Sequence, residues 1–147
     1  MKVTVLRHAQ SIFNKFLTSE KNCDLTEEGK EQARALSGHW DFVFCSPLLR
    51  TRQTFALSNI TYNKVIYTDL CREKKADICD FLEDEDETQK ETDEELNDRI
   101  ERFKAFIKSQ VSRDNTVLVV AHGDFIHALG NKKQPYPQNA EFQFMDI

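Results

Sequence analysis

Three short apolar runs set the strongest limit on the fold of this 147-residue chain. They cover residues 3–6, 42–45 and 117–121, and β-branched or aromatic residues are frequent in all three. Unbroken apolar runs of this length are typical of strands that are covered on both faces of a largely parallel sheet. Residues 64–67 form a weaker fourth run. The runs therefore predict an α/β fold.

Helical patterns separate the predicted strands. Thr26 as an N-cap, followed by apolar residues at helical spacing, predicts a first helix over residues 27–39. A second helix is predicted to begin at Pro47 and to end near Ser58. A third, amphipathic helix is predicted to follow a capping box of Thr92 and Glu95. This alternation predicts a single domain over residues 1–147, a three-layer sandwich with a mostly parallel central sheet flanked by helices.

Composition and charge narrow the possible partners. The formal net charge of -5 argues against binding to nucleic acid or to a membrane surface, because both require a basic face. The sequence shows no leader-like segment and no apolar run that could span a bilayer, so we expect a cytoplasmic protein. The four cysteines are widely spaced and lack zinc-ligand spacing, which predicts reduced structural thiols. No metal and no cofactor are predicted.

The segment from residue 83 to residue 95 is strongly acidic and contains no apolar residue. Such a segment cannot form a core of its own. It is therefore predicted to be a solvated loop that leads into the third helix.

Positively charged or titratable side chains follow all three apolar runs at the point where each run ends. Arg7 and His8 follow the first run, Arg50 lies one turn beyond the second, and His122 follows the third. Ligands of open α/β sheets bind beyond the carboxyl ends of the strands. We therefore expect these groups to converge on one site.

The chemistry of this predicted site suits a phosphoryl group. A histidine at a strand end, taken singly, is more often a structural residue than a catalyst, but four such groups together form a cationic pocket. Arginine can clamp two phosphoryl oxygens with parallel charge-assisted hydrogen bonds. A neutral histidine is a competent nucleophile, and neighbouring arginines favour its neutral form. One histidine could therefore attack phosphorus while the other donates to the transferring oxygens.

Four sequence blocks carry a resemblance to a known family. They are Leu-Arg-His-Ala-Gln-Ser at residues 6–11 with Asn14, residues 24–29 with Gln32 and Ala33, residues 46–54, and residues 119–126. In this order they resemble the signature blocks of the histidine phosphatase superfamily, which also holds the cofactor-dependent phosphoglycerate mutases. The resemblance covers most of the chain. The four blocks are specific together, whereas Arg-His alone would carry almost no information.

The resemblance implies a role for each matched residue. His8 is the residue that becomes phosphorylated, and His122 is a second catalytic residue that binds the phosphoryl group together with Arg7 and Arg50. Gly123, which follows His122 in the fourth block, is placed among the substrate-binding residues. The implied activity is that of a phosphoric monoester hydrolase with a covalent phosphohistidine intermediate, no metal and no cofactor.

Two further residues are matched to the family, the proton donor and a binding residue. Glu73 occupies the acidic position in the stretch after the third predicted strand, and the Cys79-Asp80 pair resembles one found shortly after this acid in one branch. Asn14 matches a position near the substrate phosphate. The next candidates for the proton donor are Asp77, Asp80 and Glu83. Burial would give the true donor the raised pKa that general-acid work requires.

Departures from the family pattern leave alternatives open. Ala9 stands where the first block usually has Gly. The chain also lacks the long insertions of the glycolytic mutases, which disfavours a phosphoglycerate mutase. A catalytically silent phosphate-binding or scaffold protein is the alternative from another functional class. The expected substrate is a small phosphorylated molecule or a phosphorylated protein side chain. His39 and His127 are expected to have no role in the site.

Overall fold

The computed structural model describes residues 1–17 and 20–147. Its strands are β1 (Lys2–Arg7), β2 (Ser37–Cys45), β3 (Asn59–Tyr67), β4 (Val117–Ala121) and β5 (Phe142–Asp146). Its α-helices are α1 (Ile12–Phe16), α2 (Glu27–Arg34), α3 (Leu49–Leu57), α4 (Asp93–Gln110) and α5 (Gly123–Leu129). Two short 3-10 turns lie between β3 and α4, at Asp69–Cys71 and Ile78–Asp80.

The five strands form one sheet in the order β3-β2-β4-β1-β5. Strands β1 to β4 are parallel, and β5 pairs antiparallel with β1. Val5 and Leu6 are both fully buried although they point to opposite faces, since α4 and α5 cover one face, and α3 together with Leu36 covers the other. The predicted fold class, an α/β fold with a mostly parallel sheet flanked by helices, is confirmed.

The first helix is shorter than the sequence pattern predicted. Helix α2 ends at Arg34, and residues 37–41 belong to β2. Gly38 has a φ of 136°, which no α-helix accommodates, and His39 pairs with Thr61 of β3. The prediction of a helix over residues 27–39 was therefore wrong after Arg34, because β3 is twice as long as predicted and its first half requires a partner. Trp40 stacks on Phe142 of β5 at 5.6 Å between ring centroids.

Two short elements were not predicted at all. Helix α1 and strand β5 have five residues each, which is too short for a periodic pattern. A reciprocal capping box between Ser11 and Asn14 stabilises the start of α1. Helix α3 begins at Leu49, two residues after the predicted start at Pro47.

The acidic segment is not purely a solvated loop, because four of its acids pair with cations, one of them Asp93 with Lys74. Glu85 accepts two hydrogen bonds from Arg72, at 3.0 and 2.6 Å. Glu91 accepts two from Arg99, at 2.9 and 2.8 Å, and Glu87 pairs with Lys21. These pairs tie the segment to the rest of the fold. The capped start of α4 was predicted correctly.

No helix in the described part of the chain is both long enough and apolar enough to cross a lipid bilayer.

Candidate active site

The site lies at the carboxyl ends of three neighbouring strands. Arg7 ends β1, and the backbone N–H of His8 donates to the carbonyl of Ala121 at the end of β4. Ser46 follows β2, and its N–H donates to the carbonyl of Val120. These two bonds continue the sheet for one residue beyond the strands. They fix the backbone positions from which the following side chains extend. The groups that the sequence predicts at the strand ends therefore lie together.

His8 is buried, and its orientation exposes one nitrogen for chemistry. Its Nδ1 lies 2.7 Å from the backbone carbonyl oxygen of Ala9. A carbonyl oxygen only accepts, so Nδ1 carries the hydrogen and Nε2 keeps its lone pair. Burial, with added repulsion from Arg50 and Arg7, holds the pKa of His8 well below its usual value of 6.5. The imidazole is therefore neutral at physiological pH.

Arg50 lies in the first turn of α3 and points into the same site. Its Nη1 donates to the carbonyl of Cys79 at 2.8 Å, and its Nη2 donates to Oδ1 of Asp80 at 2.8 Å. Its Nε points at Nε2 of His8 at 3.4 Å. The 3-10 turn that carries Cys79 and Asp80 thus anchors the outer end of the guanidinium and turns its Nε toward the histidine.

Two buried nitrogen atoms beside His8 have no hydrogen-bond partner among the described residues. One is Nε of Arg7, whose Nη1 donates to the carbonyl of Pro137 at 2.9 Å. The other is Nδ1 of His122, a fully buried residue whose ring centroid lies 5.2 Å from that of His8. Burial and the repulsion of Arg50 lower the pKa of His122 well below 6.5. Buried polar atoms rarely stay unpaired, so two of them in one site indicate room for a polar ligand.

Glu73 lies beside the start of α5. Its carboxyl oxygens accept from the backbone N–H groups of Asp124 at 3.0 Å and Phe125 at 2.9 Å. Burial, followed by repulsion from Asp124 and Asp80, raises the pKa of Glu73 to about 7. Arg99 donates to the carbonyl oxygens of residues 70, 72 and 73, which fixes the loop that carries Glu73.

The other acids proposed from the sequence are placed differently. Asp77 and Glu83 are exposed. Asp80 is buried, but its carboxylate is the partner of Arg50 and also accepts from the backbone N–H of Asp77 at 2.9 Å. Glu73 is thus the one of these four candidates that is buried without an ion-pair partner among the described residues.

Asn14 and Gly123 both lie at the rim of the site. Oδ1 of Asn14 accepts from Nδ2 of Asn139 at 3.2 Å, and the same Nδ2 donates to the carbonyl of His8 at 3.2 Å. At Gly123 a Cβ atom would lie 2.2 Å from the hydroxyl of Tyr136. A larger residue at position 123 would therefore have to displace the Tyr136 ring, and the expected role of Gly123 in substrate binding stays a prediction.

Several residues of the site were missed by the sequence reasoning. Ser46, whose Oγ lies 2.8 Å from Nε2 of His122, stood inside the third matched block and could have been noticed there. Asp80 was matched to a family Cys-Asp pair and considered as a reserve proton donor, but not as the partner of Arg50. Tyr136 and Asn139 belong to an irregular segment after α5 that no pattern distinguished. Within residues 1–17 and 20–147, no three His, Cys, Asp or Glu side chains are grouped so that they could hold a metal ion.

The fold and the site define an α/β protein with two histidines and two arginines gathered at the carboxyl ends of its central strands. The chain belongs to the histidine phosphatase superfamily (branch 1), whose family model matches residues 3–144. It is 28% identical over 144 residues to the "uncharacterized phosphatase PhoE" of Bacillus subtilis (strain 168), covering 86% of this chain and 74% of that protein.

Solved structures show the same fold. A phosphoglycerate mutase from Thermus thermophilus superposes with a TM-score of 0.72 at 19% identity, covering 99% of this chain and 93% of that one. A mycobacterial glucosyl-3-phosphoglycerate phosphatase gives a TM-score of 0.67 at 21% identity, covering 97% of this chain and 88% of that one. A mutase and a phosphatase thus share this architecture, and the reaction has to be argued from the site.

Proposed function

We propose that the protein hydrolyses phosphomonoesters through a phosphohistidine formed on His8. One observation carries the proposal. The unprotonated Nε2 of a neutral, buried histidine lies in a site with two buried nitrogen atoms, Nε of Arg7 and Nδ1 of His122, that lack partners among the described residues. A phosphoryl group placed there would satisfy both donors and present phosphorus to the nitrogen lone pair.

In the first step, Nε2 of His8 forms a bond to phosphorus while the ester P–O bond breaks. Glu73 gives its proton to the departing oxygen, and the alcohol leaves. A carboxyl group whose pKa is about 7 still holds a proton near neutral pH, as this step requires. Arg7, Arg50 and His122 stabilise the charge on the non-bridging oxygens.

In the second step, the Glu73 carboxylate takes a proton from a water molecule, and the water oxygen attacks phosphorus. The P–N bond breaks, His8 recovers its lone pair, and inorganic phosphate leaves. The hydrogen bond from Nδ1 of His8 to the carbonyl of Ala9 keeps Nε2 as the reacting atom in both steps. All of the acid–base work is assigned to side chains of this chain, so no metal and no cofactor enters the proposal.

Hydrolysis is proposed over mutase chemistry because a mutase must keep water away from the phosphohistidine while its intermediate turns over. That requires a closing lid and a second anion site. Near Glu73 lies the carboxylate of Asp124, which would repel an anionic leaving group, whereas the carboxylate of Asp80 is paired with Arg50. The nearby acidic segment adds less negative charge than its composition suggested, because Glu85 pairs with Arg72.

We propose a small phosphomonoester or a phosphorylated protein side chain as the substrate and the cytoplasm as the location. The name of the Bacillus subtilis relative, a phosphatase, supports the hydrolytic assignment.

The decisive experiment incubates purified protein with a panel of alkyl and aryl phosphomonoesters in the presence of a chelator. We expect release of inorganic phosphate from at least one member, with a rate that the chelator does not change. The same assay with 3-phosphoglycerate and catalytic 2,3-bisphosphoglycerate tests mutase activity. Isomerisation faster than phosphate release would overturn the hydrolase proposal. A complete absence of turnover together with phosphate binding would indicate a silent binding protein.

A further inference from the structure

We propose that Ser46 is a positioning residue, which fixes His122 in the tautomer whose Nδ1–H faces the phosphoryl group. The inference rests on the proposed function, since it concerns the same site. It is carried by the hydrogen bonds around one buried hydroxyl group, none of which was needed to propose His122 itself.

The side-chain oxygen of Ser46 has two neighbours among the described residues. The backbone N–H of Leu48 donates to Oγ at 3.3 Å, and Nε2 of His122 lies 2.8 Å from it. Ser46 and His122 are both fully buried, so water cannot replace a missing partner at low cost. The Leu48 N–H uses one acceptor position of Oγ. The remaining question is which group accepts the hydroxyl hydrogen of Ser46.

The hydroxyl hydrogen can be satisfied in only one arrangement of these groups. If Nε2 of His122 carried a hydrogen, it would donate to Oγ, and the Ser46 hydroxyl hydrogen would have no acceptor among the described residues. If Nε2 is unprotonated, the hydroxyl donates to it, and the hydrogen of the neutral ring lies on Nδ1. The second arrangement pairs every group except Nδ1–H, whose nitrogen has no partner within the described ranges.

The tautomer decides whether His122 helps or hinders phosphoryl transfer. With a hydrogen on Nδ1, the ring donates to an oxygen whose negative charge grows in the transition state. With a lone pair on Nδ1, the same ring would repel that oxygen. Burial keeps the ring neutral, so protonating both nitrogens is not an easy alternative. Ser46 thus acts through His122, without touching the substrate.

The tautomer can be read directly, because nitrogen chemical shifts distinguish a protonated from an unprotonated ring nitrogen. In the resting parent protein, labelled with 15N-histidine, we expect protonated Nδ1 and unprotonated Nε2 for His122. In Ser46→Ala we expect this preference to weaken or reverse, because Nε2 has lost its donor. Protonated Nε2 in the parent, or an unchanged pattern in Ser46→Ala, would overturn the proposal.

Kinetics supply a second readout and a matched control. Ser46→Ala should lower kcat by about 10- to 100-fold, approaching the loss caused by removing one transition-state donor, with a smaller change in KM. Thr51→Val removes another fully buried hydroxyl nearby in α3, one that donates to the carbonyls of Ser46 and Leu48 and makes no hydrogen bond to His122. It should leave the His122 tautomer and kcat unchanged. Equal losses of kcat in both variants would indicate a structural effect and overturn the proposal.

Two further measurements cover a Ser46→Ala variant that does not fold and a parent protein that shows no turnover. If Ser46→Ala does not fold, Ser46→Cys retains a weak donor and should give an intermediate tautomer ratio and an intermediate kcat. The tautomer of the parent is measured without substrate. A parent that hydrolyses no phosphomonoester would therefore overturn the proposed function, whereas the nitrogen shifts of His122 alone decide the role of Ser46.

Discussion

Arg50 and Asp80 form a buried ion pair, with Nη2 and Oδ1 2.8 Å apart and with 3% and 5% of their side chains exposed. Arg50 stands on α3, whereas Asp80 belongs to the loop that also carries Glu73. The pair therefore joins the proposed phosphate-binding residue Arg50 to the loop that carries the proposed proton donor Glu73. Removing one partner of such a pair leaves a buried charge uncompensated, which is far more costly than loss of an exposed pair.

Asp80→Ala should lower the free energy of unfolding by roughly 3–5 kcal/mol, because Arg50 would lose its counter-charge in a buried site. Urea unfolding measures the change. The matched control is Asp93→Ala, which removes the pair between Lys74 and a side chain that is 78% exposed. The control should lower the free energy of unfolding far less, because solvent screens an exposed pair. Similar losses in both variants would show that burial does not make the Arg50–Asp80 pair more stabilising than an exposed pair.

Glu73→Gln should separate good from poor leaving groups. The amide cannot donate a carboxyl proton, so hydrolysis of an alkyl phosphate should slow by roughly 10²-fold or more. An aryl phosphate needs less protonation and should lose less at the phosphorylation step. Glu83→Gln changes an exposed acid of the neighbouring segment and should leave both rates unchanged. Comparable losses for the two substrate types would move the proton donor to another residue.

On the basic side of the pH profile, the activity of the parent should follow the titration of Glu73. Burial, with Asp124 and Asp80, raises the pKa of this carboxyl to about 7. The protonated acid is needed in the first step, so kcat/KM for an alkyl phosphate should fall as pH rises through about 7. His8 has a pKa held well below 6.5 and stays a neutral nucleophile as pH falls below that value. If this fall in activity at basic pH, the basic limb of the profile, persists unchanged in Glu73→Gln, a group other than Glu73 causes it.

Asp124→Asn should shift that basic limb to lower pH. The Asp124 carboxylate raises the pKa of Glu73 by repulsion, while the backbone N–H of the same residue donates to Glu73 and is kept in the variant. Asparagine also retains an oxygen that can accept from the hydroxyl of Tyr136, which lies 2.7 Å from the Asp124 carboxylate. Asp93→Asn, at an exposed acid that pairs with Lys74, is the control and should leave the limb in place. A limb that moves upward in Asp124→Asn would refute this account of the Glu73 pKa.

The sequence predicts the central sheet and the strand-end residues of the site. Three unbroken apolar runs require strands covered on both faces, and that requirement places Arg7, His8 and His122 at one edge of the sheet. What the sequence could not show depends on partners distant in the chain. Residues 37–39 were predicted as helix because their pairing with β3 is not visible locally.

The same limit applies to the details of the site. Asp80 was a plausible acid by sequence, and only the position of Arg50 shows it to be an ion-pair partner. Ser46 gains significance only through its distance to His122, a residue 76 positions away. The segment with Tyr136 and Asn139 closes the rim of the site without any periodic signal. Sequence patterns therefore predict the strands and helices, whereas the hydrogen-bond partners of a side chain are known only once the fold is known.

The most direct test of the central claim is to trap the phosphoryl group on His8. A labelled aryl phosphate is mixed with the protein, and the reaction is quenched in alkali, where phosphohistidine survives, with a parallel sample exposed to acid. We predict an acid-labile label in the parent and a larger amount in Glu73→Gln, in which water is activated more slowly. His8→Ala should carry none. If His8→Ala is labelled to the same extent as the parent, His8 is not the nucleophile and the proposed mechanism is contradicted.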